Sequence, residues 1–435
     1  MTMTKKEKRI KMKEKIKVGY IGLGSRGTDM LCKCFGAMKD VEITWVCDCR
    51  TEAIDAAIGA LKEKGLPLPR KTTTDYREII SDPDVDAVVV MTGWDMHVKC
   101  AVESLKAGKY TAIEVGGCCD LSECYDLIAA YEETGVPLMM LENCCYGRRE
   151  MMALRMVKEG LFGEVCYCAG AYHHFINREC LCVKNPDGSY RVDRYRLAEY
   201  IARNGEQYPT HELGPIAKVL GINRGNRMMT LTSMASKSRS LSEFMRRELP
   251  DDPMAGSDFK QGDIISTDIK CANGELIHLT LDTTLPRPFY SREFTVQGTR
   301  GMCVQISKSK GVFYLDGMPK NEEPNEEEFY EKYDHPLHRD YSKIEGLGGH
   351  GGIDWLVCRA FVESVKRGVN TPIDAYDTVS WMAVTPLSEQ SVAMGGAPVA
   401  FPDFTRGKWI RREPPVKTKY SLDVVCDEPD TPIVP

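Results

Sequence analysis

The sequence has no apolar run long enough to cross a bilayer, so no segment is expected to span a membrane. It has no excess of positive charge. Its 57 Lys and Arg face 63 Asp and Glu, a net charge of −6, which gives no reason to expect nucleic acid as a partner. The basic stretch Met1 to Lys17 lacks the apolar core of a secretory signal, so residues 1–16 read as a frayed tail. There is no internal repeat, no low-complexity tract and no Cys-x-x-Cys. The 18 cysteines include the pairs Cys32/Cys34, Cys47/Cys49, Cys118/Cys119, Cys144/Cys145, Cys166/Cys168 and Cys180/Cys182. These pairs are scattered over separate elements, so no metal centre is expected and the thiols read as reduced, mostly buried groups. Such usage without a signal points to a reducing cytoplasm.

What the sequence does have is length for two domains, at 435 residues, and a glycine-rich turn near its start. The run Lys17 to Ile21 is apolar and ends in Gly22-Leu23-Gly24-Ser25-Arg26-Gly27, followed by a helical stretch to Met38. That order is the strand, turn and helix start of a dinucleotide site. Gly22 permits the turn, Gly24 lets backbone approach a pyrophosphate, and Gly27 lets helix and strand pack closely. Asp48 ends the next strand, Val41–Val46, 21 residues past Gly27, where a carboxylate accepts hydrogen bonds from a ribose diol. That favours NAD over NADP, although Arg50 nearby offers a place for an extra phosphate.

Strands and helices then alternate. Strands are expected at 70–73, 85–90, 110–115 and 137–142, and helices at 51–64, 74–80, 96–107 and 121–134. Six strands in this rhythm make a doubly wound parallel sheet over 17–145, an α/β Rossmann domain. Ligands of such sheets bind beyond the carboxyl ends of the strands. Those ends carry Ser25, Arg26, Asp48, Trp94, Asp95, Met96, His97, Glu114, Val115 and Asn143, the candidate cofactor residues together with Gly22 and Gly24.

Past Tyr146 the pattern changes. Strand-like runs at 164–172, 229–234, 264–271, 276–284, 293–297 and 302–306 predict an α+β domain with an open, mainly antiparallel sheet over 146–413. Helices are expected at 148–159, 196–203, 211–220, 353–367 and 378–394. Residues 185–195 read as a polar excursion and 319–349 as a long loop with a solvated acidic run, Glu322 to Glu328. His335 and His338 in that loop read as solvated rather than metal-binding. The tail 414–435 is proline-rich and expected to lie extended on the surface.

The order of motifs resembles the Gfo/Idh/MocA oxidoreductases, and more closely their NAD-dependent glycosidase branch, glycoside hydrolase family 109, whose type activity is that of an α-N-acetylgalactosaminidase. The residues that carry the resemblance are Gly22 to Gly27, Trp94-Asp95-Met96-His97, Glu142-Asn143-Cys144-Cys145-Tyr146, Tyr208-Pro209-Thr210-His211 with Leu213-Gly214-Pro215, Asn223-Arg224-Gly225, Arg287-Pro288-Phe289-Tyr290-Ser291, and Gly349-His350-Gly351-Gly352 with Asp354. They span almost the whole chain. Ordinary dehydrogenases of the wider family carry Glu-Lys-Pro after the fifth strand, with a catalytic lysine. Here the segment is Glu114-Val115-Gly116, as in the glycosidase branch. The residue after the motif histidine is usually glycine in that branch and is Glu212 here.

The resemblance implies a tightly held NAD that is reduced and reoxidised within each turnover. The sugar is oxidised at C3, eliminated across C1–C2, hydrated and reduced again. His211 is the expected catalytic group at the 3-hydroxyl, since imidazole gives and takes a proton near neutrality. Tyr146 is the expected base at C2, assisted by Arg148 or Arg196. Tyr172, Arg196, Tyr208, Pro209, Thr210, His211, Tyr290 and His350 are the expected substrate-binding residues. The substrate is a small glycoside ending in a hexosyl or N-acetylhexosaminyl group, and the family implies a homo-oligomer. The competing reading is a sugar or cyclitol dehydrogenase, or an enzyme that stops at a 3-keto-glycoside.

Overall fold

In a computed structural model, residues 12–177, 195–320, 324–339, 341–412 and 417–426 are described. The polar excursion expected at 185–195 falls outside them except for Tyr195, as do Cys180 and Cys182.

Six strands form a parallel sheet: β1 (Ile16–Ile21), β2 (Val41–Cys47), β3 (Lys71–Thr73), β4 (Ala87–Val90), β5 (Tyr110–Ile113) and β6 (Leu138–Met140). Their order is β3-β2-β1-β4-β5-β6. The connectivity reverses between β1 and β4, so a crevice opens at the carboxyl ends of those two strands. β4 is buried at every residue, as a strand covered on both faces requires. The second sheet has eight strands: β7 (Val165–His173), β8 (Met228–Ala235), β9 (Ile265–Cys271), β10 (Leu276–Asp282), β11 (Thr295–Gly298), β12 (Gly301–Gln305), β13 (Gly311–Leu315) and β14 (Val399–Ala400). Its order is β13-β12-β11-β7-β10-β9-β8-β14, antiparallel except for the central β7–β10 pair. This is the expected architecture. β13 and the short β14 were not foreseen.

Helix Ile353–Arg367 belongs to the second half of the chain but packs on the first sheet. The reason is electrostatic as well as apolar. Arg359, 2% exposed, grips Asp40 with both Nη atoms at 2.6 Å, and Lys366 reaches the same carboxylate at 2.5 Å. The helix expected over 378–394 is two helices, Ala375–Met382 and Val384–Ala393. Pro386 has no N–H for the Met382 carbonyl four residues back. That carbonyl accepts from the Cys118 thiol instead, at 3.3 Å.

Three other expectations are corrected. Residues 319–349 are not one loop, because Glu326–Tyr333 is a helix capped by Asn325, whose side chain accepts the Glu327 N–H at 3.1 Å. Part of the acidic run is its first turn, where carboxylates suit the positive end of the dipole. Glu327 and Glu328 are solvated, whereas Glu326 is bound by Arg149 at 2.6 and 3.1 Å. His335 and His338 are fully buried, not solvated. His335 Nδ1 accepts the Leu337 N–H, and His338 Nε2 bonds the Tyr146 carbonyl at 2.9 Å. Burial pushes the two imidazoles down to about 3 and about 4. The described part of the tail is docked rather than laid on the surface: Tyr420 and Leu422 are buried, and Asp423 pairs with Lys218 at 3.3 Å.

Candidate functional site

The glycine turn follows β1. Gly22 has φ +98°, and a Cβ there would lie 2.6 Å from the Met91 backbone. A Cβ at Gly27 would lie 2.2 Å from the Gly22 carbonyl oxygen, so helix and turn touch. Gly24 is different, because nothing lies within 4 Å of where its Cβ would be. It caps helix Ser25–Lys33, and no side chain caps the first N–H groups. The turn therefore offers open space in front of free backbone donors and a positive helix end, as a pyrophosphate requires. Asp48, at the end of β2, accepts the Leu23 N–H at 2.8 Å through Oδ2 and the Arg50 N–H at 3.0 Å through Oδ1. It fixes the turn and leaves lone pairs for a diol.

Arg26 points back across the strand ends. It bonds Glu114 at 3.0 Å and grips Asp354 at 2.8 and 2.9 Å. Asn143 donates to the same Asp354 at 2.6 Å, and His350 Nδ1 meets it at 2.8 Å. Burial opposes ionisation of Asp354, but Arg26 and His350 hold its carboxyl well below the usual range. Burial wins at Glu114, whose pKa is raised against the pull of Arg26. Asp354 is thus the hub joining Arg26, Asn143 and His350, and Glu114 joins it through Arg26. The sequence quoted Asp354 in a motif without giving it a role.

Trp94 links this edge to a second cluster. Its indole N–H donates to the Val115 carbonyl at 3.3 Å, and a Cβ at Gly116 would lie 2.1 Å from that nitrogen. The loop after β5 is therefore closed on Trp94, and Val115 itself is core. Asp95 is exposed, Met96 half-buried, and His97 buried and kept neutral, its pKa pushed down to about 4.

The second cluster is an aromatic cage on the sheet. Tyr172 on β7 stands beside Leu281 of β10, which pairs with Ile265 of β9, and that apolar row is its floor. The Tyr172 ring stacks on Tyr208 at 4.3 Å and meets Tyr290 edge-on at 5.9 Å. Arg196 lies 4.9 Å over Tyr208 and 5.3 Å from Trp94. His211 closes the cage, 5.0 Å from Tyr208 and 5.6 Å from Tyr172. Helix Thr210–Val219 presents it, with Pro209 at the cap and Thr210 buried.

Two proton-carrying couples face this cage. His211 Nδ1 lies 2.7 Å from Glu142 Oε1, and Glu142 is fully buried. Burial raises a carboxyl's pKa, but His211 and its hydrogen bond more than offset this, so Glu142 is lowered and stays ionised. Tyr172 hydroxyl lies 3.0 Å from His174 Nδ1. His174 is two residues along from Tyr172, so it shares the tyrosine's side of the chain. Burial and the Arg196 charge push it down to about 4, leaving a neutral imidazole. The sequence did not assign Glu142 or His174. The only signals were the position of Glu142 beyond β6 and the i,i+2 spacing of His174.

Tyr146 is not where the sequence reading put it. Its ring is fully buried and its hydroxyl donates to the Tyr420 carbonyl at 3.0 Å. Burial raises the phenol well above its usual pKa. It belongs to the core with the docked tail. Of its two expected partners, Arg148 is bound to Asp334 at 2.8 Å and Arg196 stands over Tyr208. His350 stands at the Asp354 hub, and its side chain is 63% exposed.

Comparison with known proteins shows the family. Residues 146–411 match the model of the glycosyl hydrolase 109 C-terminal domain, and residues 16–142 match that of the oxidoreductase family NAD-binding Rossmann fold. The chain belongs to glycosyl hydrolase family 109. This family 109 enzyme is 37% identical over 421 residues to the alpha-N-acetylgalactosaminidase of Tannerella forsythia, covering 92% of this chain and 88% of that protein. It is 36% identical to a family 109 protein of Stenotrophomonas maltophilia, covering 92% and 91%. Among solved structures it is similar in fold to levoglucosan dehydrogenase in complex with NADH and levoglucosan, with TM-score 0.65, 17% identity, and 89% and 100% of the two chains covered. An NAD binding oxidoreductase from Klebsiella pneumoniae gives TM-score 0.67 at 16% identity, covering 90% and 100%. No described helix is long and apolar enough to cross a membrane.

Proposed function

We propose that this family 109 enzyme removes a terminal hexosyl or N-acetylhexosaminyl group, α-linked N-acetylgalactosamine foremost, through oxidation at C3, elimination across C1–C2, addition of water and re-reduction. The supporting observation is the His211–Glu142 couple, buried behind and open in front, facing a cage of Tyr172, Tyr208 and Tyr290 beside a dinucleotide turn. The Tannerella relative carries the substrate in its name.

The turn Gly22 to Gly27 with Asp48 would hold an NAD, which would supply a hydride acceptor and donor for the sugar C3. His211 takes the 3-hydroxyl proton. Glu142 orients the imidazole and stabilises the cation that forms, at a 2.7 Å contact. Tyr172 takes the C2 proton as the phenolate, which the Arg196 charge favours, its own proton having left for solvent, and His174 Nδ1 holds the hydroxyl oxygen in place at 3.0 Å. Arg196 and Tyr290 orient the ring. The leaving aglycone takes up a proton, water supplies hydroxide to C1 and a solvent proton to C2, and the hydride taken from C3 would be returned there, so the cofactor would be recycled within a turnover.

The reading is tested with α- and β-nitrophenyl glycosides in deuterated water, with and without added NAD. The expected result is aglycone release without net NADH and deuterium at C2 of the product. Net NADH formed from a free sugar would replace it with the dehydrogenase reading.

A further inference from the structure

Below the cage three unlike donor atoms converge. A Glu142 carboxylate oxygen, Cys144 Sγ and a ring nitrogen of His211 all lie within 4.8 Å of one another. Glu142 and Cys144 come from the turn after β6, and His211 from the start of helix Thr210–Val219. Glu142 is 0% exposed and Cys144 2%. Glu142 Oε1 meets His211 at 2.7 Å and accepts the Cys144 N–H at 2.9 Å, Oε2 is buried beside the Thr210 hydroxyl, and the Cys144 thiol donates to Asn143 Oδ1 at 3.4 Å. Only His211, with 13% of its side chain exposed, opens towards the cage.

We infer that Glu142, Cys144 and His211 form a binding site for a soft divalent cation of the zinc class, and that its occupancy switches the enzyme off. Sulfur, imidazole nitrogen and carboxylate oxygen are the donors zinc takes, three from protein with a fourth position left open. Bonds of about 2.0–2.3 Å in a tetrahedron set donors roughly 3.3–3.8 Å apart. The observed spread needs side-chain shifts on the order of 1 Å. Charge also fits: one carboxylate and one thiolate neutralise the ion, so the filled site is neutral in its buried setting. On binding, the thiol proton leaves for solvent, and the single proton of the neutral imidazole stays on whichever ring nitrogen the metal does not take. No electron is transferred. Hard ions such as magnesium lack the oxygen-rich shell they need here.

The inhibitory consequence rests on the proposed role of His211. A metal on Nδ1 leaves the remaining proton on Nε2, and a metal on Nε2 fills its lone pair. Either way the imidazole cannot accept the 3-hydroxyl proton. Binding itself does not depend on that role.

The test is cobalt titration of the metal-free full chain under a phosphine reductant. One equivalent is expected to give a near-ultraviolet thiolate-to-cobalt band that zinc abolishes. The band should vanish in Cys144→Ser and Cys144→Ala and persist in Cys49→Ser and Cys166→Ser, which remove the exposed thiols. One equivalent of zinc should lower aglycone release at least about tenfold, reversibly with a chelator, and change Cys144→Ser less than about twofold against its own zinc-free rate. A band absent from the wild type, or surviving in both Cys144 variants, overturns the site. A band with an unchanged rate overturns the switch. A chain that binds cobalt as described but releases no aglycone would refute the proposed function and leave the site standing.

Discussion

Two groups of buried carboxyls lie around the start of helix Thr210–Val219, and they behave in opposite ways. Glu142 is 0% exposed and ionised, because His211 stands 2.7 Å away. Glu206 and Glu212 are 0% and 1% exposed, and no cation bonds them. Glu206 accepts the Tyr208 N–H at 3.2 Å through one oxygen, and its other oxygen makes no bond. Neither Glu212 oxygen makes one. Burial pushes Glu206 up to about 8, and burial with the nearby Glu206 and Glu142 charges pushes Glu212 well above its usual value. The difference shows that depth alone does not set ionisation here. The partner does. A partnered carboxylate can serve chemistry, whereas an unpartnered pair keeps its protons.

The largest break of that contrast is His211→Phe. Turnover should fall by about 10³-fold or more, since the base is gone, while NAD still binds. Glu142 should then resemble Glu206, and a protonated-carboxyl stretch should appear in the infrared difference spectrum. Retained turnover would sink the assignment of His211. Glu142→Gln comes next. It keeps the shape and removes the charge, and kcat should drop on the order of 10²-fold with KM little changed.

The stability test concerns the other carboxyl pair. A carboxyl with a raised folded pKa binds a proton on folding. Stability is then lost as pH rises from the unfolded value near 4.5 to about 8 for Glu206. The slope is about 1.4 kcal/mol per pH unit for each proton held. Glu142, lowered by folding, contributes with the opposite sign and loses its share at acid pH. Urea midpoints measured from pH 5 to pH 8 should fall in the wild type and flatten in Glu206→Gln. An unchanged slope would show that the carboxyl is ionised after all. The smallest effect is expected for Tyr146→Phe, which loses one buried hydrogen bond. It should cost about 1 kcal/mol in a denaturation curve and leave the rate within about twofold. A large loss of rate would restore Tyr146 to the mechanism.

Glu212 stands where the family usually has glycine, and the fold shows what makes room for it. A Cβ at Gly170 on β7 would lie 2.7 Å from Glu212 Cβ. Gly170 is the small residue on the strand that leaves space for the Glu212 side chain. Trp94 and Gly116 are a similar pair, each shaped to the other across the strand ends.

The sequence by itself determined the parallel sheet, the dinucleotide turn, the motif histidine and the family. Those signals are local: apolar periodicity, glycines at fixed offsets and short motifs, each read within about one element of structure. It could not say which way Tyr146 faces, because the Tyr420 carbonyl that takes its hydroxyl arrives from far along the chain. Nor could it show that 335 and 338 are interior, that Asp354 gathers Arg26, Asn143 and His350, or that Glu142 stands behind His211. Those facts depend on partners brought together only when the two sheets and helix Ile353–Arg367 pack. Ionisation follows the company a buried group keeps, and the tertiary structure decides that company.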